Sequence, residues 1–499
     1  MKQHFNLTDE GWIPIAGGER QSLRAIFSQD SPRELGGTTI QKLSILKVLL
    51  AIAQRVFTPL DDKEWSSLDA RRLGERCQQY LSMNHDCFWL YGERPFLQLP
   101  QLIGLLDAKG VRPPAVAIGR NYLPDLVSEN DSILTQLQQD YSLSDAEKAV
   151  FIVSLMNYSP GGKRIAKNLP PLTTDYVGKT NSAKSGPSIG NYVGYLNSSL
   201  WGNSILETVW MNLLTQKDFS ALYPGFSLDT LTPPWEEMPG GEDDTVANRI
   251  KEGPMGAFCA MSRFVMLQDE GIIYAEGIQY PSFKQGWREP FIAYSQEGKV
   301  LWLDMSKKPW RDLISLLALS FQSSGSAMYC PQITLALNRV RKAPVHRFGV
   351  FSGGMKVRSQ AGDQSVKQTD DFLESIVYFD TRLMKEAWFL SLEQEMKYLE
   401  EIASYTKKAV QRYWLSMGEG PKDARPKGEK ASEFYWSLCE GEFNNLIVAC
   451  EASDEVLTMR KVFLGFGLQT FDLYCPNESA KQMVQWANCR PNLWKHSEI

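Results

Sequence analysis

Trp388-Phe-Leu-Ser-Leu-Glu-Gln-Glu-Met-Lys-Tyr-Leu-Glu-Glu-Ile402 spaces its apolar residues three and four apart, which puts them on one face of a helix. The stretch belongs to an amphipathic segment over residues 381–417. Three more follow at 432–452, 457–473 and 478–494, and the Gly-, Pro- and Lys-rich stretch 418–430 reads as the linker between the first two. A terminal run of four such segments predicts an antiparallel four-helix bundle with its own core. The domain boundary therefore falls near residue 380.

Upstream of that boundary helical and extended patterns alternate, so the expected class is α+β. A large mixed α/β domain covers 1–380 and the bundle covers 381–499. Thr39 is positioned to cap an almost wholly apolar helix over 40–57, interrupted by Lys42, Lys47 and Arg55. Ser144-Asp-Ala-Glu147 is a capping-box pattern that opens a helix running to about Asn157. Strands are expected at 257–268, 272–279 and 291–303, and a helix at 310–319.

The chain has 499 residues, enough for two or more domains, and a composition of 43% hydrophobic and 22% charged residues, as in globular proteins. Its net charge of −5 argues against a free-standing, non-specific nucleic-acid binder. Local basic patches held in place by partner subunits remain compatible with that charge. Eight scattered cysteines without a CxxC pair read as reduced thiols, which suits a cytoplasmic protein. The apolar stretch 40–57 carries too many polar residues for a membrane span, so no membrane association is expected.

Two regions run against the acidic whole. Arg339, Arg341, Lys342, Arg347, Lys356, Arg358 and Lys367 face only Asp363, around Gly353-Gly354 and Met355-Lys-Val-Arg-Ser-Gln360. This predicts a strand over 348–351, a reversal at the two glycines, and a tip of cationic and amide side chains. The second region, 161–190, follows Ser159-Pro160-Gly161-Gly162-Lys163 and contributes Arg164, Lys167, Lys179 and Lys184 against Asp175. Both a solvated charged surface and phosphate contacts fit such patches. Tyr158, Tyr176, Tyr192, Tyr195 and Trp201 lie close by in sequence, where packing and base stacking are rival readings.

Catalytic constellations are missing. The four histidines (His4, His85, His346, His496) have no second ligand at metal spacing, and GxSxG, HExxH and HNH-like patterns are absent. Gly161-Gly162-Lys163 fails as a nucleotide loop, because Asn157 and Arg164 occupy its required Gly and Ser/Thr positions. Asp61-Asp62, Asp243-Asp244 and Asp370-Asp371 lack a third spaced carboxylate for Mg²⁺ and read as solvated turns. Neither metal nor cofactor is expected.

The order of short motifs resembles the CasA family, the large subunit of the type I-E CRISPR surveillance complex, Cascade. They are Phe5-Asn-Leu…Gly11-Trp-Ile-Pro14, Ile45-Leu46…Leu49-Leu50-Ala51-Ile52, Tyr91-Gly-Glu-Arg-Pro-Phe-Leu-Gln98, Pro233-Pro-Trp-Glu236, Gly253-Pro254, Met261-Ser-Arg-Phe-Val-Met-Leu267, Gly286-Trp287 and Pro309-Trp-Arg-Asp-Leu-Ile-Ser-Leu-Leu317. The resemblance implies a non-catalytic protein that works with the other Cascade subunits and CRISPR RNA. It would recognise the protospacer-adjacent motif (PAM) in duplex DNA, help start strand separation and R-loop formation, and help recruit a helicase-nuclease. A nuclease-type subunit or a purely scaffolding one is the alternative.

Carried over residue by residue, the resemblance puts the family's glycine loop at Ser159, Pro160, Gly161 and Gly162, with Lys163 adjoining. Its glutamine wedge falls on Gly353, Gly354 and Gln360, with Arg358 and Ser359 beside the tip. The family's lysine finger has no matching lysine near Ile278 and Gln279, and Lys284 is the nearest. Arg164, Lys179, Lys184, Lys284 and Lys356 are candidate DNA-backbone contacts. The family's loop near the guide-RNA 5′ end would lie around 130–140. The cysteine cluster of some members is absent, so zinc is not implied.

Overall fold

The longest helix among the described residues of the N-terminal half, α1 (Thr39–Val56), is buried along nearly its whole length, Lys47 and Gln54 included. Thr38, one residue earlier than expected, caps it through a box with Gln41. Because α1 is apolar all round, it has to sit inside a core, and other elements pack around it. They include Ala70–Met83, Ile205–Met211 and α2 (Asp145–Tyr158). In α2 the Ser144–Glu147 capping box forms as the sequence predicts, and the helix is buried from Ala149 to Tyr158.

The computed structural model describes residues 2–106, 109–112, 115, 118, 143–160, 172, 189–269, 271–321, 327–360, 363–365 and 371–493. It divides into two compact units, Met1–Met305 with Met328–Ile376, and Ser306–Ala327 with Val377–Ile499. The second unit thus takes in 306–327, which a single cut at 380 leaves with the first.

In the first unit β1 (Asn197–Trp201) pairs antiparallel with β2 (Arg347–Met355), matching Asn197 to Gly353 and Trp201 to Gly349. A short hairpin follows, β3 (Arg358–Gln360) against β4 (Asp363–Ser365). The chain then returns as β5 (Phe372–Asp380), which belongs to this unit as far as Ile376, on the far side of β2, giving the order β5-β2-β1. A separate hairpin joins Arg263–Gln268 to Gly271–Glu276.

Two strand expectations need correction. Residues 257 and 258 end a short helix, Met255–Phe258, behind Pro254, whose fixed φ suits a helix start. Residues 291–303 form isolated bridges at Ile292, Tyr294, Val300 and Trp302 in place of a continuous strand.

The quoted family motifs hold one another in place. Gln98 donates to Leu90 O (2.7 Å) and accepts from Leu267 N (2.9 Å), tying two of them together. Glu236 of Pro-Pro-Trp-Glu receives a two-pronged guanidinium from Arg55 and the Tyr80 hydroxyl.

The second unit contains α3 (Glu386–Met417), α4 (Pro421–Ala449), α5 (Ser453–Tyr474) and α6 (Ala480–Cys489). The connections are short, which reverses the chain between neighbours. The expected linker 418–430 shrinks to the turn at Gly418 (φ +105°), because Pro421 starts α4 at its first turn. Ala409, Val410, Tyr413, Ala431, Phe471 and Cys475 form part of the core. A buried Arg460–Glu395 pair, closest at 2.7 Å, joins α5 to α3.

Candidate nucleic-acid interface

The glycine-loop candidate leaves α2 from a heavily tethered end. Met156 O accepts from Ser262, while the Asn157 amide bonds Phe258 O and Ala260 N, each at 3.2 Å. Tyr158 donates its hydroxyl to Asn197 Oδ1 at 3.0 Å. Ser159 is buried and extended at the helix end, so the chain exits in a fixed direction with Pro160 next. Gly161, Gly162, Lys163, Arg164, Tyr176, Lys179 and Lys184 lie outside the described residues, as does the stretch 130–140.

Further along, Gly190 has φ +54°, a left-handed conformation that favours glycine. Tyr192 then donates to Trp287 O at 2.6 Å and packs edge-on against its ring.

Behind both stems lies a buried ion pair. Lys47 Nζ is 3.2 Å from Glu289, the side chains being only 6% and 4% exposed. The ammonium also stands over the Tyr158 ring at 4.9 Å and the Phe291 ring at 5.3 Å. Lys47, Tyr158, Ile189, Tyr192, Asn197, Trp287 and Glu289 line one narrow cavity. Burial pushes the Glu289 carboxyl above its ordinary range, with the Lys47 charge opposing.

The glycine pair is not a reversal. Gly353 and Gly354 are buried inside β2. A Cβ on Gly353 would meet Thr39 Cγ2 at 2.8 Å and Glu374 Cβ at 3.1 Å, and one on Gly354 would meet Tyr195 O at 3.0 Å. Packing, not turn geometry, excludes side chains there. The reversal comes later, after β3, where Gln360 and Asp363 form the last pair of the hairpin. Arg358 opens β3 and is exposed, and Ser359 follows it on the strand.

The two candidate elements meet at Asn197. Its side chain holds the last residue of α2, and its backbone is registered against Gly353. Glycine-loop stem and hairpin strand are therefore mounted on one strand end.

The basic run separates into two populations. Arg339 is buried, bonding Asp218 (2.7 Å), Asp62 (3.4 Å) and Leu213 O (2.9 Å), so it serves the core. Lys342, Arg347, Lys356 and Arg358 are exposed. Lys284 is exposed too, on the turn Phe283–Gln285 before Gly286 (φ +103°) and Trp287.

Those candidates for base stacking that are among the described residues are core. Tyr158, Tyr192, Tyr195 and Trp201 are buried, and Trp201 stacks on Phe351 at 4.7 Å. Trp302, which the sequence did not single out, is 47% exposed. Its only cue was an aromatic in a stretch read as strand, where alternation alone does not say which face meets solvent.

Acidic residues have structural uses. Asp61 caps Asp62–Ser67, Asp244 caps Thr245–Glu252, and Asp243 pairs with Lys251 at 3.1 Å. Among the described residues no group of three or more His, Cys, Asp or Glu could hold a metal ion. No helix among them is long and apolar enough to cross a membrane.

Comparison with known proteins gives the family. The family described as CRISPR-associated protein Cse1 matches residues 6–464. CRISPR-associated protein CasA/Cse1 of Thermus thermophilus is 25% identical over 348 residues, covering 63% of this chain and 60% of that protein. The crystal structure of Thermobifida fusca Cse1 superposes with a TM-score of 0.71 at 16% identity, covering 98% of this chain and 96% of that one. Thermus thermophilus CasA gives 0.69 at 19% identity, with 98% of each chain covered. A structure described as a CRISPR RNA-guided surveillance complex gives 0.54 at 16% identity, covering 98% and 99%. With a match that spans most of its length, the chain belongs to the Cse1 (CasA) family of CRISPR-associated proteins.

Proposed function

We propose that this chain is the non-catalytic large subunit of a CRISPR RNA-guided surveillance complex, reading the PAM in duplex DNA and starting strand separation. The observation that carries the reading is the junction at Asn197, where the α2 exit and the hairpin-bearing strand are fastened together. A protein that must pry a duplex beside the place where it grips it needs those parts held rigidly to one another.

In this reading Gly161 and Gly162 lie along the minor groove, where a backbone without side chains fits the narrow space, with Lys163 adjoining and the buried Ser159 and Pro160 fixing the approach. The groove's acceptor pattern is degenerate, so a tolerant motif preference follows. The hairpin of Arg358, Ser359 and Gln360 inserts as the wedge, offsetting an unstacking cost of roughly a few kcal/mol per step with new contacts. Arg164, Lys179, Lys184, Lys284 and Lys356 neutralise phosphates. Pairing with the guide RNA then supplies sequence specificity, which leaves the protein to nucleate opening. The DNA-reading part is the mixed region 1–380, with the bundle 381–499 as a separate domain, and a helicase-nuclease is recruited once the target is open.

The test uses the assembled complex. Gln360→Ala should lose binding to duplex target while assembly and binding to a pre-opened target persist. Loss on the pre-opened target as well would exclude the wedge role. Unchanged binding by both Gln360→Ala and Gly161→Val would favour a scaffolding subunit.

A further inference from the structure

Trp302 is among the few large apolar side chains on the surface of the first unit, and its surroundings are unusual. It bridges to Tyr195 through the backbone, and its ring packs edge-on against the Tyr195 ring at 4.7 Å. The flanking backbone is fixed on both sides, since Leu303 N donates to Gly194 O and Leu196 N to Leu301 O. Below the indole is the bare backbone of Gly194. A Cβ there would lie 3.0 Å from Trp302 Cζ3 and 3.6 Å from Val357 Cβ.

Val357 stands between Lys356 and Arg358 at the foot of the hairpin, and both cations are exposed. A rigid, half-exposed aromatic beside two cations combines a π-face for a base with charge for the adjoining phosphates. A protein partner would more often meet such an anchor in an apolar surround.

We infer that Trp302 is a stacking platform for one unpaired base of the strand released beside the hairpin, with Lys356 and Arg358 on its flanking phosphates. This inference rests on the strand-opening role proposed above. It adds a second function to the hairpin region, because a base caught after separation disfavours re-pairing, whereas a wedge acts during separation.

The experiment compares Trp302→Leu and Trp302→Phe in the reconstituted complex, against duplex target and against the same target carrying a bubble next to the motif. Leucine keeps apolar cover over Gly194 but has no π-face, while phenylalanine keeps one. Trp302→Leu should bind both targets about tenfold more weakly, on the order expected for one lost base stack. Trp302→Phe should retain most of the affinity. Equal losses in the two variants, no loss in Trp302→Leu, or a failure of Trp302→Leu to enter the complex would each overturn the platform. A wild-type complex indifferent to the motif would instead overturn the proposed function.

Discussion

The hydroxyl of Tyr158 and the side-chain oxygen of Asn197 are 3.0 Å apart, and this one bond fastens the exit of a core helix to the end of a sheet strand. Both groups are buried. Tyr158→Phe removes the donor and leaves a buried amide oxygen short of a partner. The expected cost is about 1–3 kcal/mol of unfolding free energy. Chemical denaturation measures it, and duplex affinity in the complex should fall further than affinity for a pre-opened target.

Lys47→Met strands the Glu289 carboxylate in the interior. Breaking a buried pair from one side costs about 3–5 kcal/mol, and Glu289→Gln added to Lys47→Met should recover part of that loss. The pH dependence has a definite sign. Burial raises the Glu289 pKa in the folded state, so the native protein binds the proton more tightly than the unfolded chain. Stability from this group therefore falls as pH rises above the ordinary value of 4.5. Without Lys47 opposing it, the fall should be steeper in Lys47→Met, measured as midpoint against pH.

Gly353→Ala tests why glycine occupies β2. Steric overlap with Thr39 predicts a loss of about 1–3 kcal/mol, partly relieved by Thr39→Ser, which removes the Cγ2 found 2.8 Å from the added carbon. Additive effects in the double-mutant cycle would show that the contact is not the cause.

Lys356→Ala and Arg358→Ala should each weaken duplex binding by the complex whatever the sequence beyond the motif. Each should also reduce the slope of log affinity against log salt by about one. A salt titration by filter binding or anisotropy reads both effects.

Local signals carried the helices well and the sheet poorly. The Ser144–Glu147 box and the spacing of Trp388, Leu392, Met396 and Leu399 act within one or two turns, so they can be read from the chain itself. Gly353-Gly354 looked like a turn because adjacent glycines permit one. Thr39 and Tyr195, distant in sequence, are what require them. Lys47 looked like a polar interruption of an apolar helix, and its burial makes sense only beside Glu289. Arg339 likewise counted as surface charge until Asp218 and Leu213 O claimed it. For the candidate site, the sequence nominates Ser159 and Gln360 but gives no sign of the bond and the register that unite their mountings.

The pairing of Asn197 with Gly353 has a consequence for how this domain is assembled. A strand that slips by one residue turns every side chain to the opposite face. A slip between β1 and β2 would carry Asn197 away from Tyr158, orphaning two buried polar groups at once. A slip that brings Ser352 to the place of Gly353 would also drive a side chain into the narrow space against Thr39. The tyrosine bond and the glycine gap thus both favour the native register of the strand from which the hairpin projects.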